Sequence, residues 1–344
     1  MVTISVVMPV YNAARFLPQA VESILNQSFT DFELVAIDDG STDHSYEILA
    51  EYQYHDPRIK IHRQPQNKGL VEALNTGCQF ATGEYIARMD ADDVSLPHRF
   101  EKQLAFMRNN PEVGVLGAWV DYVDEHGLYP GRVWHPPVSP WVIKWRLLFG
   151  PPLAHPTWIF RRKLGESLGF YRPLKVEDYD FLVRASRLTQ IANVPEVLLH
   201  YRFWSQSKST VNAKTEAPTT ASIMITQMNE LMNGELSVED GVRLYYLISG
   251  RLVDCSLQQV MEYANLIAEM YQVFRKKHPL TTLDQREIAI DAGVKLLTFS
   301  ALIARRSPIN ALAVARKSLA INPRAPMGFV RKVIKNLREK RASV

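Results

Sequence analysis

Three carboxylates fall within four residues at Asp90-Ala91-Asp92-Asp93, directly after a stretch, residues 84–89, that reads as a short buried strand. A strand end holds side chains rigidly, and hard divalent cations such as Mg²⁺ or Mn²⁺ prefer oxygen ligands. Mg²⁺ usually takes one or two protein carboxylates and leaves its other positions to water and substrate phosphates. An Asp-x-Asp in this place therefore suits a site for a metal and a diphosphate. The same residues also suit a turn, because Asp favours turns, and Val94-Ser95-Leu96-Pro97 reads as a helix entry. A second acidic group, Glu177-Asp178 with Asp180, opens a stretch of helical periodicity. Capping and the helix dipole explain one acid there. They do not require three.

The elements that must carry these residues alternate. Ile4 to Val10 reads as a buried first strand, and Phe16 to Gln27 has helical spacing. Phe32 to Ile37 is a second strand, Ser45 to Tyr54 a helix, Ile59 to His62 a third strand, Val71 to Ala81 a helix and Tyr85 to Met89 a fourth strand. Strands and helices alternating at this spacing imply βαβ units and a parallel, doubly wound sheet. In such sheets ligands bind outside the carboxyl ends of the strands. Those ends are Tyr11-Asn12, Asp38-Asp39, Asn67-Lys68-Gly69 and Asp90-Ala91-Asp92, all polar. No Gly-x-Gly-x-x-Gly follows the first strand and no Gly-Lys-Ser/Thr occurs, which argues against a dinucleotide dehydrogenase and a P-loop NTPase.

Beyond Pro97 the pattern changes. His98 to Asn109 is helical, Val113 to Val123 is a long alternating strand, 124–140 is a loop or hairpin, and 141–149 is a short helix. Trp119, Trp134, Trp145 and Trp158 offer faces on which a sugar can stack, but tryptophans in such runs are mostly core, and none is assigned to the site. A final strand is expected at Val197 to Arg202. From about Thr215 onward the segments 221–232, 238–252, 257–277, 284–304 and 310–320 all have helical spacing, punctuated by Pro218, Pro279, Pro308 and Pro323. The expected organisation is a domain over 1–212 and a helical domain over 213–344.

Composition narrows the classes. At 344 residues, with 47% hydrophobic and 22% charged residues, the chain has the make-up of a soluble globular protein of about two domains. Cys78 and Cys255 lie far apart without metal-ligand spacing, so neither a disulfide framework nor a zinc site is expected. No 18-residue apolar run and no signal-like N-terminus occurs. Residues 314–344 carry nine Lys/Arg against one acid, leaving the rest of the chain acidic. The basic character is thus local, and nucleic-acid binding by the whole chain is not expected.

The segments Val6 to Asn12, Ile37 to Asp43, Asn67-Lys68-Gly69-Leu70 and Asp90-Ala91-Asp92-Asp93 occur in order and in register. With His155-Pro156-Thr157 and 176–180, they resemble the family 2 glycosyltransferases over about residues 3–205. The resemblance implies a GT-A fold, an α/β domain with a Rossmann-like mixed sheet that binds a nucleotide sugar, here followed by an all-helical region. It implies an inverting transfer from a nucleotide-diphosphate sugar, UDP-linked by preference, to a saccharide or lipid-linked saccharide in cell-surface polysaccharide assembly.

Position by position, the resemblance gives Pro9, Tyr11, Asn12, Asp39, Asn67, Gly69, Arg88, Asp90 and Ala91 to the donor nucleotide. Tyr11 would stack on the base and Asp39 would accept the uracil N3–H, whereas Asp38 reads as structural; Asp39 can equally cap the next helix, and Arg88 can equally be an ion-pair residue. Asp92 and Asp90 would hold the metal, Mn²⁺ or Mg²⁺, with Asp93 behind them. Asp178 would be the general base, with Glu177 and His155 on the acceptor side. One carboxylate suffices for the proton of the attacking hydroxyl when a metal stabilises the departing diphosphate.

The chain departs from the family pattern at Trp204, where many relatives carry a His two residues after the Arg; His200, Arg202 or Lys208 are candidates to take its place. The competing reading is a non-catalytic nucleotide-sugar-binding scaffold. Asp39, Asp90, Asp92 and Asp178 together favour the enzyme. The expected location is the cytoplasm. The basic amphipathic stretch 329–341 suits peripheral contact with the inner face of an anionic membrane, or docking of its apolar face on the helical domain. Self-association is left open.

Overall fold

The structure, a computed structural model, describes residues 2–204, 216–252 and 254–323. Lys208 and the basic stretch 329–341 lie outside them. Two compact units result: one from residues up to Leu147 together with those from Pro151, the other from Leu148–Gly150 and the C-terminal helices. No helix among the described residues is long and apolar enough to cross a membrane.

In the first unit, β1 (Ile4–Val10), β2 (Phe32–Asp38), β3 (Ile59–Arg63) and β4 (Tyr85–Arg88) run parallel in the order β3-β2-β1-β4. Every residue of β2 and β4 is buried, which is why both read as near-continuous apolar runs. The helices α1 (Leu17–Leu25), α2 (Ser45–His55), α3 (Leu70–Phe80) and α4 (Arg99–Asn109) cover both faces. Leu17, Ala20, Val21 and Ile24 of α1, Leu49 of α2 and Phe100, Leu104 and Met107 of α4 share one core with Ile4, Val6 and Met8 of β1. The opposite face carries α3, where a Cβ on Gly77 would lie 2.5 Å from Val7 Cγ1. Only glycine lets that helix approach so closely.

Past β4 the sheet becomes mixed. β5 (Val94–Ser95), β6 (Val113–Val123), β7 (Val133–Trp134), β8 (Ile159–Arg161) and β9 (Gln190–Arg202) extend it in the order β4-β8-β6-β9-β5, with β7 on β6, and α5 (Pro140–Leu147), α6 (Arg162–Leu168) and α7 (Glu177–Ala185) fall between β7 and β9 in the chain. This is the GT-A fold. Two local expectations change. Val94-Ser95 is not a helix entry but a strand antiparallel to Leu199 and His200, held by Ser95 N–H on Ser23 Oγ (3.0 Å) and Leu96 N–H on the Leu198 carbonyl (3.0 Å). The last strand begins at Gln190, seven residues before the expected start, because Ile191 to Val194 also pair with β6; Pro195 hides that continuity in the sequence. Trp145 and Trp158 are fully buried core.

The second unit is helical: α8 (Ala217–Met232), α9 (Val238–Ile248), α10 (Leu257–Lys277), α11 (Thr282–Ile303) and α12 (Pro308–Ile321). Capping boxes at Ser237/Asp240, Ser256/Gln259 and Thr281/Asp284 start α9, α10 and α11, each satisfying backbone N–H groups that a helix start leaves unpaired. Pro218 lies in the first turn of α8, where its missing N–H costs nothing.

Candidate active site

The parallel strands deliver four loops to one sheet edge, and side chains stitch these loops together. The Asn12 N–H donates to Ser41 Oγ (3.0 Å), and its Oδ1 accepts from Thr42 N–H (2.8 Å), joining the loops after β1 and β2. Asn12 has φ +48°, a conformation Asn tolerates better than most residues. Asp39 joins the loops after β2 and β3: its Oδ1 accepts from Lys68 N–H (2.8 Å) and its Oδ2 from Gly69 N–H (2.9 Å). Between them Gly40, at φ +69°, lies so close to the Gln66–Asn67 backbone that a Cβ would come within 2.5 Å. Asp38 is fully buried, accepting from Ser41 N–H (3.0 Å) and pairing with Arg63 (3.1 Å), as befits a structural acid.

Tyr11, Asn12, Asp39, Asn67 and Gly69 therefore belong to one loop assembly. Pro9 lies just upstream, in register with Ile37 on the neighbouring strand. Tyr11 is 49% exposed and offers an open ring face.

Beside this assembly, the end of β4 gathers charge. Arg88 is buried and ion-pairs with Asp90. Its carbonyl accepts from Arg99 Nη2 (2.8 Å), a guanidinium with no exposed surface that braces the strand end from behind. Carboxylate oxygens of Asp90, Asp92 and Asp93 lie within 4.8 Å of one another. Burial, and then the charge of Asp90, push the Asp92 carboxyl up to about 6. Asp93 is pushed well above the usual carboxylate range by burial and by its two acidic neighbours.

Asp93 Oδ1 accepts from Arg202 N–H (2.8 Å), while Oδ2 is buried with no donor among the described residues. Like charges crowded in a desolvated space destabilise one another unless a cation joins them. All-oxygen ligands, mutual repulsion and an orphaned buried acceptor together fit Mg²⁺ or Mn²⁺. Ala91 is buried between the acids and contributes only backbone.

The far end of β9 closes over this cluster. Arg202 Nε donates to the Asp92 carbonyl (2.7 Å) and Nη1 to the Asp124 carbonyl (2.9 Å), with its guanidinium 4.6 Å above the Phe16 ring. Trp204 Nε1 donates to Asp92 Oδ2 (3.0 Å), and its ring meets Phe16 edge-on at 5.4 Å. His200 is occupied by Asp121. Of the two described replacements for the missing His, Arg202 reaches the acids, through the Asp92 backbone and Asp93, whereas Lys208 lies outside the described residues.

Farther along the chain, α7 (Glu177–Ala185) carries three acids in its first turn and gives them different surroundings. Asp180 accepts from Arg184 Nε (2.7 Å), and the Nη1 and Nη2 of the same guanidinium donate to the Leu168 and Phe170 carbonyls, so this acid is structural. Glu177 is buried; Asp178 is half-buried, with Oδ1 accepting from Tyr179 N–H (2.7 Å). His155 stands in a 3₁₀ turn, Nε2 3.1 Å from Tyr171 Oη. Tyr171 is a hub that sequence reasoning missed. Burial pushes its hydroxyl up, and the charges of Arg88, Glu177 and Asp178 all act on it. Asn75 of α3 fixes it with two bonds to its backbone, 2.9 and 3.0 Å. Nothing in the spacing of Asn75 and Tyr171 signals that link.

Comparison with known proteins fits this geometry. The family model Glycosyl transferase family 2 matches residues 5–168. The amylovoran biosynthesis glycosyltransferase AmsE of Erwinia amylovora is 35% identical over 202 residues, 58% of this chain and 75% of that one. Among solved structures, S. aureus TarS 1-349 in complex with UDP-GlcNAc aligns over 95% of this chain and 92% of that one, with TM-score 0.57 and 17% identity. The mannosyltransferase PcManGT from Pyrobaculum calidifontis, in complex with GDP-Man and Mn²⁺, aligns over 98% and 88%, with TM-score 0.52 and 15% identity. At these identities the two structures establish likeness of fold.

Proposed function

The chain belongs to glycosyltransferase family 2, and from that premise we propose that it is a metal-dependent, inverting enzyme that takes its sugar from a UDP-sugar. The acceptor in this reading is a saccharide or lipid-linked saccharide of a polysaccharide under assembly, and the work is done in the cytoplasm. The observation that carries the proposal is the Asp90, Asp92 and Asp93 cluster, with oxygens within 4.8 Å beside buried Arg88. Arg88 Nε has no hydrogen-bond partner among the described residues, which leaves a buried cationic donor for a diphosphate oxygen. Asp92, Asp90 and Asp93 would hold a Mn²⁺ or Mg²⁺ ion, which neutralises charge on the departing diphosphate when bound.

In this mechanism Tyr11 stacks on the base, and Asp39 accepts from it with the lone pairs that Lys68 and Gly69 leave over. Asn12, Asn67 and Gly69 shape the nucleotide's loop wall. His155 and Glu177 orient the acceptor. Asp178 takes the proton from the acceptor hydroxyl as that oxygen bonds to the anomeric carbon. The bond from that carbon to the diphosphate oxygen breaks on the opposite face, and nucleoside diphosphate leaves. The helical unit is proposed as a separate domain beyond residue 212.

Turnover on a panel of UDP- and GDP-sugars, read as nucleoside diphosphate released in Mn²⁺, tests this assignment. Asp178→Asn should lower kcat by roughly 10²–10⁴-fold, the range for general acid–base catalysis, with donor binding unchanged. A kcat within a few-fold of the parent would move the base to Glu177, since Asp180 is engaged by Arg184.

A further inference from the structure

We infer that Trp204 is a positioning residue for the metal: its indole N–H holds one oxygen of Asp92 so that the other is presented to the cation. The inference rests on the metal reading above. A carboxylate can turn about its last bond and can bind a cation through one oxygen or both. Here Asp92 Oδ2 accepts from Trp204 Nε1 at 3.0 Å, which restrains the rotation of the carboxylate through that oxygen. Groups that hydrogen-bond to a ligating carboxylate set its orientation, and their loss typically weakens metal binding 10- to 100-fold.

The indole is itself held. It meets the Phe16 ring edge-on at 5.4 Å, and the same ring lies under the Arg202 guanidinium at 4.6 Å. Arg202 in turn binds the Asp92 carbonyl through Nε (2.7 Å) and Asp93 Oδ1 through its backbone N–H (2.8 Å). Residues 202 and 204 thus hold the acidic loop at three points, two on its side chains and one on its backbone. Arg202 fixes where the loop runs; Trp204 bonds the Asp92 carboxylate itself. An indole N–H donates and cannot accept or ligate. Trp204 therefore acts on the cation only through Asp92, as an orienting donor that does not compete for the metal.

The test titrates the full-length protein with Mn²⁺ alone, reading free Mn²⁺ by electron paramagnetic resonance. Trp204→Phe keeps a ring against Phe16 and removes the donor. Its Mn²⁺ Kd should rise at least tenfold, with the melting temperature and metal-free UDP binding unchanged, a split that a merely structural role would not produce. Phe16→Leu, which keeps the donor and loosens its support, should raise Kd a few-fold and decides the matter if Trp204→Phe does not fold. A Kd within twofold of the parent in either folded variant, while Asp92→Asn abolishes binding, overturns the positioning role and leaves the metal site standing. Absence of Mn²⁺ binding by the parent protein overturns both.

Discussion

The two ends of one parallel sheet treat buried carboxylates in opposite ways. At the end where the strands begin, Glu33 is 2% exposed, and donors from three other segments converge on it: Ser5 Oγ (2.5 Å), Thr82 N–H (2.8 Å), Thr82 Oγ1 (2.7 Å) and Lys60. Although burial pushes its carboxyl up, these partners outweigh that and hold it at about 2. At the end where the strands finish, burial and then Asp90 push Asp92 up, burial and then Asp92 and Asp90 push Asp93 up, and Asp93 Oδ2 has no donor among the described residues. The first acid is satisfied by the chain that surrounds it. The second group is only partly satisfied by Arg88, Arg202 and Trp204. One end serves stability, and the other, in the function proposed above, serves binding at the carboxyl ends of the strands, where ligands sit in open α/β sheets.

Breaking the satisfied end should have the largest effect on stability. Glu33→Gln is expected to cost about 2 kcal/mol near neutral pH, a discounted conversion of the shift from 4.5 to about 2 because Lys60 is partly exposed. The sign fixes the pH window. A carboxyl held low in the folded state contributes fully above its unfolded value of 4.5 and loses that contribution as the pH falls toward 2. Urea denaturation from pH 7 to pH 2.5 should therefore show the parent losing stability below pH 4.5, with that limb flatter in the variant. Identical acid limbs would show that Glu33 does not stabilise the sheet's start.

The unsatisfied end should respond in the other direction, and by less. Asp93→Asn removes one crowded negative charge while keeping the oxygen that accepts from Arg202. Without metal, it should raise stability by roughly 1 kcal/mol, because it relieves repulsion among crowded acids in a desolvated place. Melting curves in EDTA check this. A lower melting temperature would mean that the carboxylates are already compensated by the chain, and the contrast between the two ends would fail.

Much of this division was legible in the sequence, for a physical reason. Parallel strands put their carboxyl ends on one edge, so polar residues at Tyr11-Asn12, Asp38-Asp39, Asn67-Lys68-Gly69 and Asp90 to Asp93 had to meet once the alternation of strand and helix was read. What stayed hidden depends on contacts between distant segments. The bond from Trp204 to Asp92 spans 112 residues, and the two-residue strand at Val94-Ser95 exists only because Leu198 to His200 lie beside it. Among the three acids of α7, only the approach of Arg184 to Asp180 identifies the structural one. Glu33 carried no local pattern either, since its partners come from β1, β3 and the turn before β4.

The central claim is that the acids at the end of β4 bind a cation and a nucleoside diphosphate together. Thermal denaturation of the parent and of Asp92→Asn, with UDP alone, Mn²⁺ alone and both, tests it most directly. At ligand concentrations about 100 times Kd, binding to the folded state alone adds about 2.7 kcal/mol of stability. For the parent, UDP and Mn²⁺ together should raise the melting temperature by several degrees, more than the sum of their separate effects, and Asp92→Asn should lose that excess. Equal stabilisation by UDP with and without Mn²⁺, or an Asp92→Asn variant that keeps the full excess, would contradict the account.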